Sequence, residues 1–138
     1  MKRAEIFEII AISDKTVICK LAREVLEDTE LEILREQTGM IMARARDSVE
    51  GIIFNLGEVL VTETEVKLNG RTGYCMVLGM DPGKALAGAI LDAAVQSDHH
   101  LRDKIVEVLS RERNKAEEKR SRLWEAIRCS RVDFEVMS

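Results

Sequence analysis

The sequence predicts an α+β fold, with N-terminal helices, a mainly antiparallel sheet of three to four strands, and C-terminal helices, all in one domain over residues 1–138. Three observations predict it. Apolar residues recur every three or four positions toward both ends of the chain, the period of a half-buried helix. From about residue 30 to 79 they alternate instead, the period of a half-buried strand. Within that region Asn69-Gly70 separates two alternating runs, and this dipeptide supplies the two left-handed residues of a tight hairpin. Short connections favour antiparallel neighbours, because parallel ones need long crossovers.

The elements follow in order. Residues 3–12 place Ile6, Ile9 and Ile10 on one helical stripe. Ser13 is placed to cap a second helix, from Asp14 to about Leu26, with Val17, Ile18, Leu21, Val25 and Leu26 as its apolar positions. The two are expected to form a small helical hairpin. ELEILREQ (30–37) reads as a strand, Thr38-Gly39 as a turn, and MIMARARD (40–47) as the next strand. In the latter, Ile41, Ala43 and Ala45 share one face, and Met42, Arg44 and Arg46 the other. FNLGEVLVTETEVKL (54–68) puts Leu60, Thr62, Thr64, Val66 and Leu68 on one face, and Gly57 marks a bulge or a close backbone approach. TGYCMVLG (72–79) is the last strand. One helix is expected from Pro82 to about Gln96, and another from about Asp98 into the 120s.

Composition sets limits on function. With 46% apolar and 33% charged residues the chain is a folding one, and a net charge of −4 argues against a general nucleic-acid binder. The opening MKRAEIFEII meets Glu5 and Glu8 at once, and no apolar run approaches the roughly 18 residues of a membrane span. Cys19, Cys75 and Cys129 are far apart and form no CxxC pair, which fits reduced thiols in a cytosolic protein.

GYCMVLGMDPGKALAG (73–88) invites comparison with a phosphate-binding loop. The comparison fails twice: the spacing from Gly79 to Gly83 and Lys84 is one residue short, and Ala85 stands where a magnesium-binding hydroxyl is needed. A strand-to-helix joint explains the stretch, with Asp81 as cap and Pro82 at the first helical position. Small residues around Gly88 let the helix lie close to the sheet. Arg35, Arg44 and Arg46 offer a basic surface on the first hairpin, and Arg71 sits by the next turn. Arg44, Arg46 and Arg71 are the candidate anion or substrate contacts, since guanidinium groups match phosphate oxygens.

No catalytic set emerges. His99 and His100, read as helical neighbours, point about 100° apart, so no metal centre is expected from them even with Asp98 nearby. SRERNKAEEKRSR (110–122) carries six basic and three acidic side chains, and Leu123, Trp124 and Ile127 follow it. A tryptophan here suits a partner interface.

ARARDSVEG (43–51), FNLGEVLVTETEV (54–66), GRTGYCMVLGMDP (70–82) and SRVDF (130–134) together resemble the PhnG family, the G subunit of the bacterial carbon–phosphorus lyase system. The resemblance runs from about residue 15 to 134. It singles out Arg44, Arg46, Asp47, Glu50, Asn55, Gly57, Glu58, Arg71, Gly73, Tyr74, Gly79, Asp81, Asp92 and residues 130–134. Met80 stands where the family is expected to carry a basic residue. The resemblance implies a cytoplasmic, non-autonomous subunit in phosphonate degradation. The I subunit is the expected main partner, with H and J in a core complex and the L protein for synthase activity. That synthase replaces the adenine of ATP with an alkylphosphonate on ribose C1′. ATP is thus a substrate of the complex, and this chain is expected to bind no cofactor. Arg131, Asp133 and Phe134 join Trp124 as expected partner contacts. A pure assembly scaffold and an independent small-anion-binding protein are the alternative readings.

Overall fold

The computed structural model describes the backbone of residues 1–47 and 49–137 and the side chains of residues 1–47 and 49–128. The elements are α1 (Arg3–Ile12), α2 (Lys15–Leu26), β1 (Leu31–Arg46), β2 (Ile53–Leu68), β3 (Arg71–Leu78), α3 (Pro82–Gln96) and α4 (Arg102–Met137). Both strand pairs are antiparallel, in the order β1-β2-β3. The expected class, α+β with helices at both ends and the sheet in the middle, is the one observed.

The core forms where α3 lies across β2 and β3. Val66, Leu68, Cys75 and Val77 face Ala85, Ala89, Ile90 and Ala93, with Ile6, Ile9 and Ile10 of α1 and Ile18, Leu21 and Val25 of α2 closing the sides. Small side chains on α3 allow a close approach. A Cβ on Gly73 would lie 2.1 Å from the carbonyl oxygen of Ala89, and one on Gly88 would lie 2.5 Å from Cys75 Sγ. The β2–β3 turn is as expected: Asn69 and Gly70 both have positive φ, 48° and 77°. The expected bulge at Gly57 is also present. Its φ is 136°, and the β1–β2 register shifts between Ala43↔Gly57 and Arg44↔Asn55.

Four local expectations are corrected. Thr38-Gly39 is not a turn: Thr38 pairs with Thr62 and Gly39 with Val61, so β1 runs straight through, and the chain reverses at residues 47–52. A strand with a full partner beside it keeps its ladder through a glycine. Ser13 does not cap α2. Its hydroxyl donates back to the Ile9 carbonyl at 2.5 Å, and Asp14 accepts from the Thr16 N–H at 3.0 Å instead. The first two helices do not form a hairpin; α2 packs on α3, whereas α1 packs on α4, α3 and β3. Both stripes find a better apolar surface on α3 than on each other. Finally, α4 begins at Arg102, not near Asp98. Asp98 takes the left-handed conformation (φ 54°) just past α3 and ends that helix.

Candidate functional site

Two parts of the chain project from this body. The first is the outer half of the β1–β2 hairpin. β3 stops where Leu78 pairs with Val61, yet β1 and β2 continue paired to Arg46↔Ile53. The turn at its tip is held by Asp47, whose carboxylate accepts from the Val49 N–H at 2.8 Å. Its backbone N–H donates to the Ile52 carbonyl at 2.8 Å, and Gly51 closes the turn with φ 72°. The arm carries exposed apolar side chains, among them Met40, Met42, Ile53, Phe54 and Leu56. Arg44 and Arg46 lie near its tip, opposite Asn55 and Ile53.

Arg71 pairs with Leu68 at the other end of β2, thirteen residues from Asn55 and thus roughly 40 Å away along the strand. One copy of the chain therefore does not bring Arg44, Arg46 and Arg71 together. Arg35 is engaged elsewhere, 3.8 Å from Glu63 and 3.6 Å from Glu65. Glu63 also accepts from the Tyr74 hydroxyl at 2.6 Å and from Gln37.

The second projection is the distal half of α4. Ile105, Leu109 and Glu112 are buried against the body, but every side chain from Glu117 to Arg128 is exposed. Leu123 and Trp124 are adjacent, with Ile127 one helical turn on, and they are 57%, 62% and 54% exposed. The expected contacts Arg131, Asp133 and Phe134, with Ser130 and Val132, lie outside the residues whose side chains are described. Where α4 leaves the body, Asp14, Glu112, Lys115, Lys119, Arg120 and Leu123 help to line an open cleft of about 480 Å³. It mixes both charge signs.

The strand-to-helix joint is fully occupied by the chain itself. Asp81 accepts from the Lys84 N–H at 3.2 Å and from Lys15 Nζ at 2.7 Å. The Lys15 hydrogen bond holds the Asp81 carboxyl below its ordinary range, and the same contact raises Lys15. Lys84 Nζ turns away to the Ala11 carbonyl at 2.9 Å. The helix N-terminus thus meets a carboxylate of its own, which leaves no place for a phosphate. Lys15, sixty-six residues away in sequence, was the partner that sequence reasoning missed.

The histidines also depart from expectation. They sit in a turn rather than on a helix, with rings stacked 4.3 Å apart, and both point at Asp28. His99 Nε2 is 3.4 Å and His100 Nε2 3.3 Å from the Asp28 carboxylate. The Thr29 hydroxyl, first, and then the two imidazoles hold the Asp28 carboxyl low. Three donor groups, one carboxylate and two imidazoles, lie within 4.8 Å of one another and have metal-ligand spacing. The tautomer argues otherwise: His99 Nδ1 accepts the Leu101 N–H at 3.1 Å, so the neutral ring carries its proton on Nε2, the atom facing Asp28 and Thr29. A protonated nitrogen has no lone pair for a metal. The cluster ties the start of α4 to the α2–β1 connection.

Among the described residues no helix is long and apolar enough to cross a membrane. No nucleophile, base and orienting group converge in the contacts above. The exposed apolar side chains of the arm and of distal α4 project outward, as those of an interface do.

Comparison with known proteins identifies the family. The whole chain, residues 1–138, matches the family model described as phosphonate metabolism protein PhnG. Over 109 residues it is 37% identical to the alpha-D-ribose 1-methylphosphonate 5-triphosphate synthase subunit PhnG of Rhizobium meliloti (strain 1021). That match takes in 73% of this chain and 65% of the length of the relative. The chain belongs to the PhnG family of phosphonate metabolism proteins.

Proposed function

We propose that this chain is an accessory subunit of a phosphonate-processing transferase. The complex would install an alkylphosphonate on ribose C1′ of ATP and release adenine. The similar rhizobial protein is named as a subunit of a synthase with such a product. The observation that carries the reading is the bare stripe Leu123–Trp124–Ile127 on a helix that extends beyond its own core. A side chain as large as tryptophan costs about 2 kcal/mol or more to leave in water when a partner surface is on offer. An I-type subunit is the partner this stripe takes, with H, J and L subunits completing the assemblies. Within them the chain binds no cofactor of its own, and ATP enters as substrate of the complex in the cytoplasm.

The test is co-expression with the matching I-type subunit, followed by size-exclusion chromatography with light-scattering mass. A heteromer is expected, and Trp124→Ser with Ile127→Ser should dissolve it while leaving the chain folded. Two separate peaks for the wild-type pair would overturn the reading. In the assembled synthase, Arg46→Gln and Arg71→Gln separate two roles. Loss of turnover with assembly intact gives this chain a share in substrate binding, and unchanged turnover makes it a scaffold.

A further inference from the structure

We propose that β1 pairs edge to edge with β1 of a second copy, antiparallel across a two-fold axis near Met40, so that two three-stranded sheets become one. This goes beyond the subunit reading, because the partner is another copy of the same chain.

The sheet has two edges, and they are treated differently. The β3 edge is covered from within at Thr72 and Tyr74. Asp92 of α3 accepts its Tyr74 N–H at 2.9 Å, and Gln96 Nε2 reaches the Thr72 carbonyl at 3.4 Å. Among the described residues the β1 edge has no such cover. β1 is sixteen residues long, its one strand neighbour is β2, and Ile33, Leu34, Met40, Ile41 and Met42 are all 39% exposed or more. Soluble proteins blunt edges of this kind with charged side chains, above all lysine, with proline, bulges or a short strand. β1 has register shifts at Ile33/Arg35 and Ala43/Arg44, and its charges are of both signs. LEILREQTGMIMARAR contains no lysine and no proline, and it is long.

The charge pattern selects the occupant. Glu32 and Glu36 lie in the first half of β1, and Arg44 and Arg46 in the second. Arg35, the exception, is already matched by Glu63 and Glu65 of β2. An antiparallel copy lays the basic half of each strand on the acidic half of the other. A parallel copy would set like charges together. With Met40 on the axis, Arg44 stands opposite Glu36 of the second copy, and symmetry repeats the pair. Directly opposed unlike charges stabilise a strand pair. Met42 then opposes Thr38, and Ile41 opposes Gly39, which leaves room for the larger side chain. Because the two-fold pairing uses the same edge of both copies, the contact closes on itself and does not propagate.

The experiment is light-scattering mass of the full chain alone, from low concentration up to about 100 µM, where a weak dimer would still populate. Wild type is expected at twice the chain mass. Glu36→Arg and Arg44→Glu should each weaken the dimer by about tenfold or more. The double variant Glu36→Arg/Arg44→Glu should restore it. Within one chain these residues are eight positions apart on a straight strand, roughly 25 Å, so rescue cannot arise inside a monomer. Far-UV circular dichroism checks that each variant is folded. A wild-type monomer throughout the range would overturn the proposal, as would single reversals that leave the dimer intact or a folded double variant that stays monomeric. The chain is measured without any other subunit, so a failed heteromer would sink the subunit reading and leave this result standing.

Discussion

Asp92 Oδ2 accepts the backbone N–H of Tyr74 at 2.9 Å, so a carboxylate buried on α3 closes the outer edge of β3. The same carboxylate is held by Arg3, with Nη2 at 2.9 Å and Nε at 3.3 Å from its oxygens, and by Gln96 at 3.1 Å. Three elements distant in sequence therefore meet at one side chain that is wholly removed from water. Its partners replace the hydration that burial removes.

Replacing Asp92 with alanine should cost about 3 kcal/mol, since Arg3 and the Tyr74 N–H lose their acceptor together. Asp92→Asn should cost less, because an amide oxygen still accepts from Tyr74. Arg3 is about half exposed, so Arg3→Ala gives up a guanidinium that water partly compensates. Urea unfolding midpoints should therefore rank wild type, Asp92→Asn, Asp92→Ala in falling order. Equal midpoints for aspartate and alanine would remove the edge-closing role.

Gly73 and Gly88 should respond differently to alanine. At Gly73 the new Cβ meets a backbone oxygen at 2.1 Å and Ala93 Cβ at 2.6 Å, so α3 itself must move off the sheet. A loss of about 3 kcal/mol is expected. At Gly88 the close atoms are Cys75 Sγ and Ile10 Cγ2, both on side chains, and alanine recovers up to about 1 kcal/mol of helix propensity. The Gly88→Ala protein should be clearly the more stable of the two by thermal unfolding.

These examples show which parts of the fold the sequence carries locally. Asp81-Pro82 opens α3 and Asn69-Gly70 turns β2 into β3 because each signal acts within a few residues. Gly57 reads as a bulge for the same reason. Thr38-Gly39 has turn composition, but the long partner strand holds β1 straight through it. The Lys15–Asp81 pair and the convergence of His99 and His100 on Asp28 join segments 66 and about 70 residues apart, and no local period encodes such a meeting. The candidate site was legible in part. Trp124 was found as a large apolar residue after a charged run. The exposed arm was not, because alternation in β1 and β2 implies a covered face, and only the short length of β3 reveals that the cover stops at Val61.

Tyr74 offers a direct reading of the sheet's other face. It is the single tyrosine of the chain, so tyrosinate absorbance reports it alone. Burial pushes its phenol up to about 12, and the hydrogen bond to Glu63 adds to the shift. Phe7, whose ring meets Tyr74 edge-on at 6.3 Å, contributes to that burial. In return the Tyr74 hydroxyl, followed by Gln37, holds the Glu63 carboxyl below its ordinary range. The two shifts act at opposite ends of the pH scale. A raised phenol contributes stability that is fully present below its ordinary value of 10.0 and is lost as pH rises toward about 12. A depressed carboxyl contributes stability that is present above its ordinary value of 4.5 and is lost as pH falls through the folded value. Spectrophotometric titration of the wild type should give a midpoint near 12. Glu63→Gln should lower it while leaving it above 10, because burial is the larger cause and remains. The same variant should flatten the acid limb of stability against pH. A wild-type midpoint at 10 would place the phenol in water and dissolve the pair.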